Sequence, residues 1–121
     1  MRAVIVFAHG SRDPLWRAPV EAVASAIAQR DPGTAACCAY LELCEPSLPD
    51  AAASLIRNGA TDLRVLPLFF GMGKHAREDL PLLMEQLRQQ HPQVRFTRLP
   101  TAGEDPRLTQ LLAELALENP A

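Results

Sequence analysis

The sequence predicts an α/β fold: one three-layer domain with a four-stranded parallel sheet and helices on both faces. Three observations lead there. Short apolar runs rich in strand-forming residues alternate with longer segments whose apolar residues recur at helical spacing. The strand-then-helix unit occurs four times in a row with short connections, and right-handed crossovers turn that order into a parallel sheet. The chain has 121 residues, the size of one unit with a single core, so positions 1–121 are read as one domain.

Each element has a local reason. Ala3 to Ala8 (A-V-I-V-F-A) is the first strand, apolar throughout. Asp13-Pro14 then starts a helix: the carboxylate accepts from free N–H groups, and proline suits the first helical position. Trp16, Val20, Val23, Ala24 and Ile27 supply its buried face, and Asp31-Pro32-Gly33 ends it. Thr34 to Leu41 is a second strand, less hydrophobic and so placed nearer the sheet edge. Ser47-Leu48-Pro49-Asp50 opens the second helix, Leu48, Ala51, Ala52, Leu55 and Ile56 form its stripe, and Gly59 stops it.

Leu63 to Phe70 is the third strand. Its run Val65 to Phe70 carries no charge, the pattern of a strand buried on both faces. Gly71-Met72-Gly73 breaks it, and a helical pattern starts near Leu80-Pro81, with Leu80, Leu83, Met84 and Leu87 inward. His91, before Pro92, is expected to cap the carbonyls at its end. Gln93 to Thr97 is a short fourth strand. Asp105-Pro106 begins a last helix whose Leu108, Leu111, Leu112 and Leu115 are expected to face the core.

Composition narrows the function. Hydrophobic residues make up 48% of the chain and charged residues 21%, as in globular proteins. A net charge of -2 speaks against a nucleic-acid binder working through a broad basic face. No apolar run approaches the about 20 residues that span a bilayer, and Met1-Arg2-Ala3 leads into a strand without a cleavage site, so the expected compartment is the cytoplasm. Cys37 and Cys38 are adjacent, hence on opposite faces of a strand. With Cys44 they make no C-x-x-C pair and read as small buried hydrophobes.

All parallel strands point their carboxyl ends to one edge, where open α/β sheets bind ligands. Three such ends present metal-competent groups: His9 after the first strand, Glu42 after the second and His75 after the third. Each alone is ordinary in a loop. Together, two imidazoles and a carboxylate that leave positions open suit a borderline divalent ion such as Co²⁺, Ni²⁺, Fe²⁺ or Zn²⁺. Arg12, Lys74 and Arg77 would make the mouth locally positive, fit for a carboxylate-rich substrate or simply a solvated rim. Gly10, Gly71 and Gly73 permit close backbone approach to a flat ligand or form plain turns, and Ser11 is a helix cap or a ligand donor.

His9-Gly10-Ser11-Arg12, Tyr40-Leu41-Glu42 with Pro46-Ser47, and Pro67-Leu68-Phe69-Phe70 through Gly73 and His75 to Asp79-Leu80-Pro81 resemble the small class II chelatases. These are the sirohydrochlorin chelatases, lyases that insert cobalt, iron or nickel into a tetrapyrrole. The resemblance runs over most of the chain and implies a chelatase-like half that pairs as a homodimer. It implies metal binding by His9 and His75, with Glu42 as third ligand or proton acceptor, in cobalamin- or siroheme-type biosynthesis with cobalt favoured. The metal is then a substrate and no organic cofactor is expected; nor is a nucleic-acid or membrane partner. Ser11, Arg12, Gly71, Gly73, Lys74 and Arg77 would contact sirohydrochlorin.

Two other readings use the same residues. One is a non-catalytic metal carrier or sensor. The other, phosphoryl transfer through His9-Gly10, lacks a phosphate-clamping arginine because position 8 is Ala.

Overall fold

The computed structural model describes residues 1–120. The chain runs β1 (Arg2–Ala8), α1 (Pro14–Arg30), β2 (Ala35–Tyr40), α2 (Leu48–Arg57), β3 (Asp62–Pro67), α3 (Lys74–Gln90), β4 (Arg95–Arg98), a 3₁₀ turn at Ala102–Glu104 and α4 (Pro106–Leu117). The four strands form one sheet in the order β2-β1-β3-β4, and every pairing is parallel. The α/β class, the parallel sheet and the edge position of β2 are as the sequence predicts.

The two faces are covered unequally. On one, Ile5, Phe7, Leu63 and Val65 pack beneath Leu48, Ala52 and Leu55 of α2 and Leu80, Met84 and Leu87 of α3. On the other, α1 lays Val20 and Ala24 over Val6, Ala8 and Tyr40. Cys37 borders the first cluster and Cys38 the second, on opposite sides of β2 as expected, although the three cysteines are half-buried rather than buried.

Past β1 the α1 side is open. β3 accordingly alternates buried Leu63, Val65 and Pro67 with half-buried Asp62, Arg64 and Leu66, so it is not buried on both faces. α4 does not close the gap. None of its residues is buried, and Leu111, Leu112 and Leu115 are 48%, 39% and 55% exposed. The expectation that they face the core is wrong for a physical reason: apolar periodicity marks a face that needs cover and does not say what covers it.

The caps explain the boundaries. Asp13 caps α1 by accepting from the Leu15 N–H at 2.9 Å, Ser47 caps α2 by accepting from Asp50 at 3.3 Å, and Asp105 caps α4 by accepting from Arg107 at 2.8 Å. Each is worth about 1 kcal/mol. α3 has only Gly73 at this position, with no side-chain cap, and begins at Lys74 rather than near Leu80-Pro81. Without a cap to read, the proline suggested a start where it is an exposed interior position. His91 is the C-cap of α3, but it is its backbone N–H that donates to Leu87 at 3.0 Å.

Candidate functional site

The strand order creates the site. From β1 the chain goes to β2 on one side, then crosses over to β3 on the other. The connections leaving β1 and β3 diverge, and the crevice between them at the carboxyl ends is where such sheets take ligands. His9 follows β1 directly, and His75 is the second residue of the helix after β3. Glu42 follows β2, next to β1.

The ladders run on past the strands and tie these positions together. The Leu41 N–H donates to Ala8 at 2.9 Å and the Glu42 N–H donates to the His9 carbonyl at 2.9 Å. Imidazole and carboxylate thus hang from backbones joined by one hydrogen bond. Gly10, at φ +108°, lies beneath: any Cβ there would collide with the Glu42 carbonyl. The space that this glycine leaves is therefore filled by the chain itself. Leu43 follows at φ +69°, a left-handed conformation rare for a side chain of its size. Its turn closes with the Cys44 N–H donating back to Glu42 at 2.9 Å.

Phe69 supports His9 from below. The two rings meet edge to face at 4.5 Å between centroids, and Phe69 stacks on Phe7 in the same manner at 5.9 Å. Phe69 is buried, so it holds the imidazole rather than meeting a ligand. The 3₁₀ turn in turn holds Phe69, whose carbonyl accepts from Gly103 at 2.8 Å.

His9, Leu41, Glu42, Gly73, Lys74, His75, Ala76 and Asp79 line one cavity of about 400 Å³. The three candidate metal-competent groups reach a common space, with Gly73 and Lys74 at its wall. Among the described residues no three His, Cys, Asp or Glu side chains stand close enough together to hold one ion. His9, Glu42 and His75 are exposed and line the cavity as separate groups.

Ser11, Arg12, Gly71 and Arg77 are not in the lining. The Ser11 hydroxyl accepts from the Asp13 N–H at 3.0 Å, which makes it part of the turn into α1. Arg12 and Arg77 are exposed. Sequence reasoning passed over Leu41, Ala76 and Asp79 as lining residues. The signal for Asp79 was present, since it follows His75 at i+4 and the two share a helix face.

Two imidazoles and a carboxylate thus line one crevice at the switch point of an open parallel α/β sheet. The CbiX family model matches residues 3–119. The chain belongs to the CbiX family. It is similar to the sirohydrochlorin cobaltochelatase of Methanopyrus kandleri, 31% identical over 84 residues, which are 69% of this chain and 59% of that protein. The match therefore covers less than two-thirds of that relative. The sirohydrochlorin cobaltochelatase of Sulfolobus acidocaldarius is 28% identical over 116 residues, 96% of this chain and 90% of that one. Among solved structures, a CbiX protein of Marinobacter aquaeolei VT8 described for cobalamin (vitamin B12) biosynthesis superposes with a TM-score of 0.82. It has 31% identity and the match covers 96% of this chain and 94% of that one.

Proposed function

We propose that this protein is a sirohydrochlorin chelatase, inserting Co²⁺ in preference to Fe²⁺ or Ni²⁺ into the macrocycle in cobalamin- or siroheme-type tetrapyrrole biosynthesis. The observation that carries the reading is the convergence of His9, Glu42 and His75 on one cavity at the switch point. The names of the relatives supply the substrate and favour cobalt.

The chemistry follows from the groups. A tetrapyrrole loses two N–H protons as it takes up M²⁺. Neutral His9 and His75 present the ion to one face of the ring, and Glu42 accepts a proton or helps strip water from the ion. The metal must leave its protein ligands to enter the ring, so an incomplete, exchangeable set suits the task better than a closed structural site. Protonated imidazoles cannot bind metal, so activity is lost on acidification. A cavity of about 400 Å³ is at the low end for a drug-sized ligand. The macrocycle would lie across the mouth, with Gly71 and Gly73 in the turn beneath it and Ser11 in the turn after β1. Lys74 would meet peripheral carboxylates from the cavity wall, and Arg12 and Arg77 from outside.

The reading includes a homodimer, supported by the exposed apolar side of α4, and a cytoplasmic location, supported by three free thiols. No described helix is long and apolar enough to cross a membrane.

The test is optical. Protein, sirohydrochlorin and Co²⁺, Ni²⁺ or Fe²⁺ are mixed anaerobically, and the tetrapyrrole spectrum is followed against a protein-free control. Accelerated insertion is expected, falling by roughly 100-fold or more in His9→Ala and His75→Ala, the scale of a lost catalytic group. Metal binding without acceleration would make the protein a carrier or sensor instead.

A further inference from the structure

We infer that Asp79 is a second proton acceptor for metal insertion, acting beside Glu42. The inference rests on the metal-insertion reading above. Asp79 lines the cavity with His9, Glu42 and His75, and it stands one helical turn beyond His75 on α3.

Asp79 has no visible structural task, in contrast to the chain's other aspartates. Asp13 and Asp105 cap helices. Asp31 accepts from Gly33 and from the Thr34 hydroxyl. Asp62 faces Arg2 at 3.8 Å, and Asp50 lies in the first turn of α2, where the helix dipole favours a carboxylate. Asp79 is the sixth residue of α3, beyond the first turn in which that benefit is felt. It takes part in neither ion pair found among the described residues. Being exposed, it contributes little to the core.

The reaction needs what Asp79 offers. Two pyrrole N–H bonds break, the ion exchanges its protein and water ligands for the four ring nitrogens, and two protons must go to bases; no electrons are transferred. His9 and His75 commit their free lone pairs to the incoming ion, so they are poor acceptors at that moment. One carboxylate takes one proton, and a single carboxylate would have to shed it before taking the second. Glu42 follows β2 and Asp79 sits on the helix after β3, with β1 and His9 between them in the sheet order. The two carboxylates therefore reach the same cavity from different elements. Each N–H proton then has its own acceptor, whichever part Glu42 also plays toward the metal.

The experiment separates binding from chemistry. Co²⁺ is titrated into wild type, Asp79→Asn, Asp79→Glu and Asp79→Ala without tetrapyrrole. Insertion into sirohydrochlorin is then timed under saturating Co²⁺. Co²⁺ affinity is expected to stay within about twofold, while kcat falls at least tenfold in Asp79→Asn and Asp79→Ala, the low end of a general-base contribution. Asp79→Glu should keep a substantial part of the rate, and added formate should rescue Asp79→Ala but not wild type. An unchanged kcat in a folded Asp79→Asn protein overturns the inference and leaves the chelatase reading intact. A parallel loss of Co²⁺ affinity and rate overturns it too, making Asp79 a residue that positions His75. A wild type that binds Co²⁺ but inserts none removes the chelatase reading and this inference together.

Discussion

Cys37 shows how little separates a structural residue from a titrating one. Burial, and after it the neighbouring Cys38 thiol, push its pKa up to about 11 from an ordinary 9.0. Burial likewise pushes the Tyr40 phenol up to about 12. Between 9.0 and about 11 the unfolded chain has released the Cys37 proton while the folded chain holds it. The unfolded state then binds fewer protons, so stability falls as pH rises through that window. Urea unfolding at about pH 8 and about pH 10.5 should show a lower midpoint at the higher pH, and Cys37→Ala should reduce that difference. At the site, the residue-scale lesson differs. His9 was legible because it follows a strand end, and sequence gives strand ends, whereas His75 lies in the first turn of α3. Phe69 as the support of His9 was not legible, because its contact crosses from the end of β3 to the end of β1.

At the scale of elements, the short 3₁₀ turn Ala102–Glu104 reaches further than its length suggests. Gly103 sits where a Cβ would collide with the Phe70 carbonyl, and its N–H donates to Phe69. Met72 is held from the same side: the Thr101 hydroxyl donates to its sulfur at 3.0 Å and Arg98 approaches that sulfur at 3.2 Å. The segment after β4 therefore braces the connection that leads from β3 into α3, and so braces His75. Gly103→Ala should destabilise by about 1–3 kcal/mol, since the atom in the way is backbone and cannot rotate aside. Denaturant unfolding checks this, and metal insertion should slow in the same variant. The late start assigned to α3 belongs to this scale as well. Gly73 offers no side-chain cap to read, so Lys74 and His75 looked like loop residues when they form the first turn.

Across the whole molecule the open α1-side face is the feature that asks for an explanation. Leu66, Leu68, Leu99, Leu108 and Leu111 line an apolar groove of about 520 Å³ between the β3–β4 side of the sheet and α4. Exposed apolar patches of this kind mark association surfaces in soluble proteins, and a twofold pair would apply the same patch on both subunits. Leu111→Glu with Leu115→Glu should convert a dimer to monomer in sedimentation while leaving the far-UV spectrum unchanged, because both side chains are about half exposed already. A wild-type monomer at micromolar concentration would remove the homodimer from the reading.

Sequence alone determined the class of fold, the number of strands and the parallel sheet, and it placed His9 and Glu42 just past strand ends. Those depend on local periodicity, on caps and on a crossover rule that needs no coordinates. Tertiary structure decided what depends on which distant segments meet. It set the order β2-β1-β3-β4, which puts the switch point between the two histidine-bearing ends, and it brought Asp79 into the same cavity. It also left β3 and α4 uncovered on one side. A run of apolar residues records that a surface must be buried somewhere; only the packing of the other elements says whether this chain buries it or leaves it for a partner.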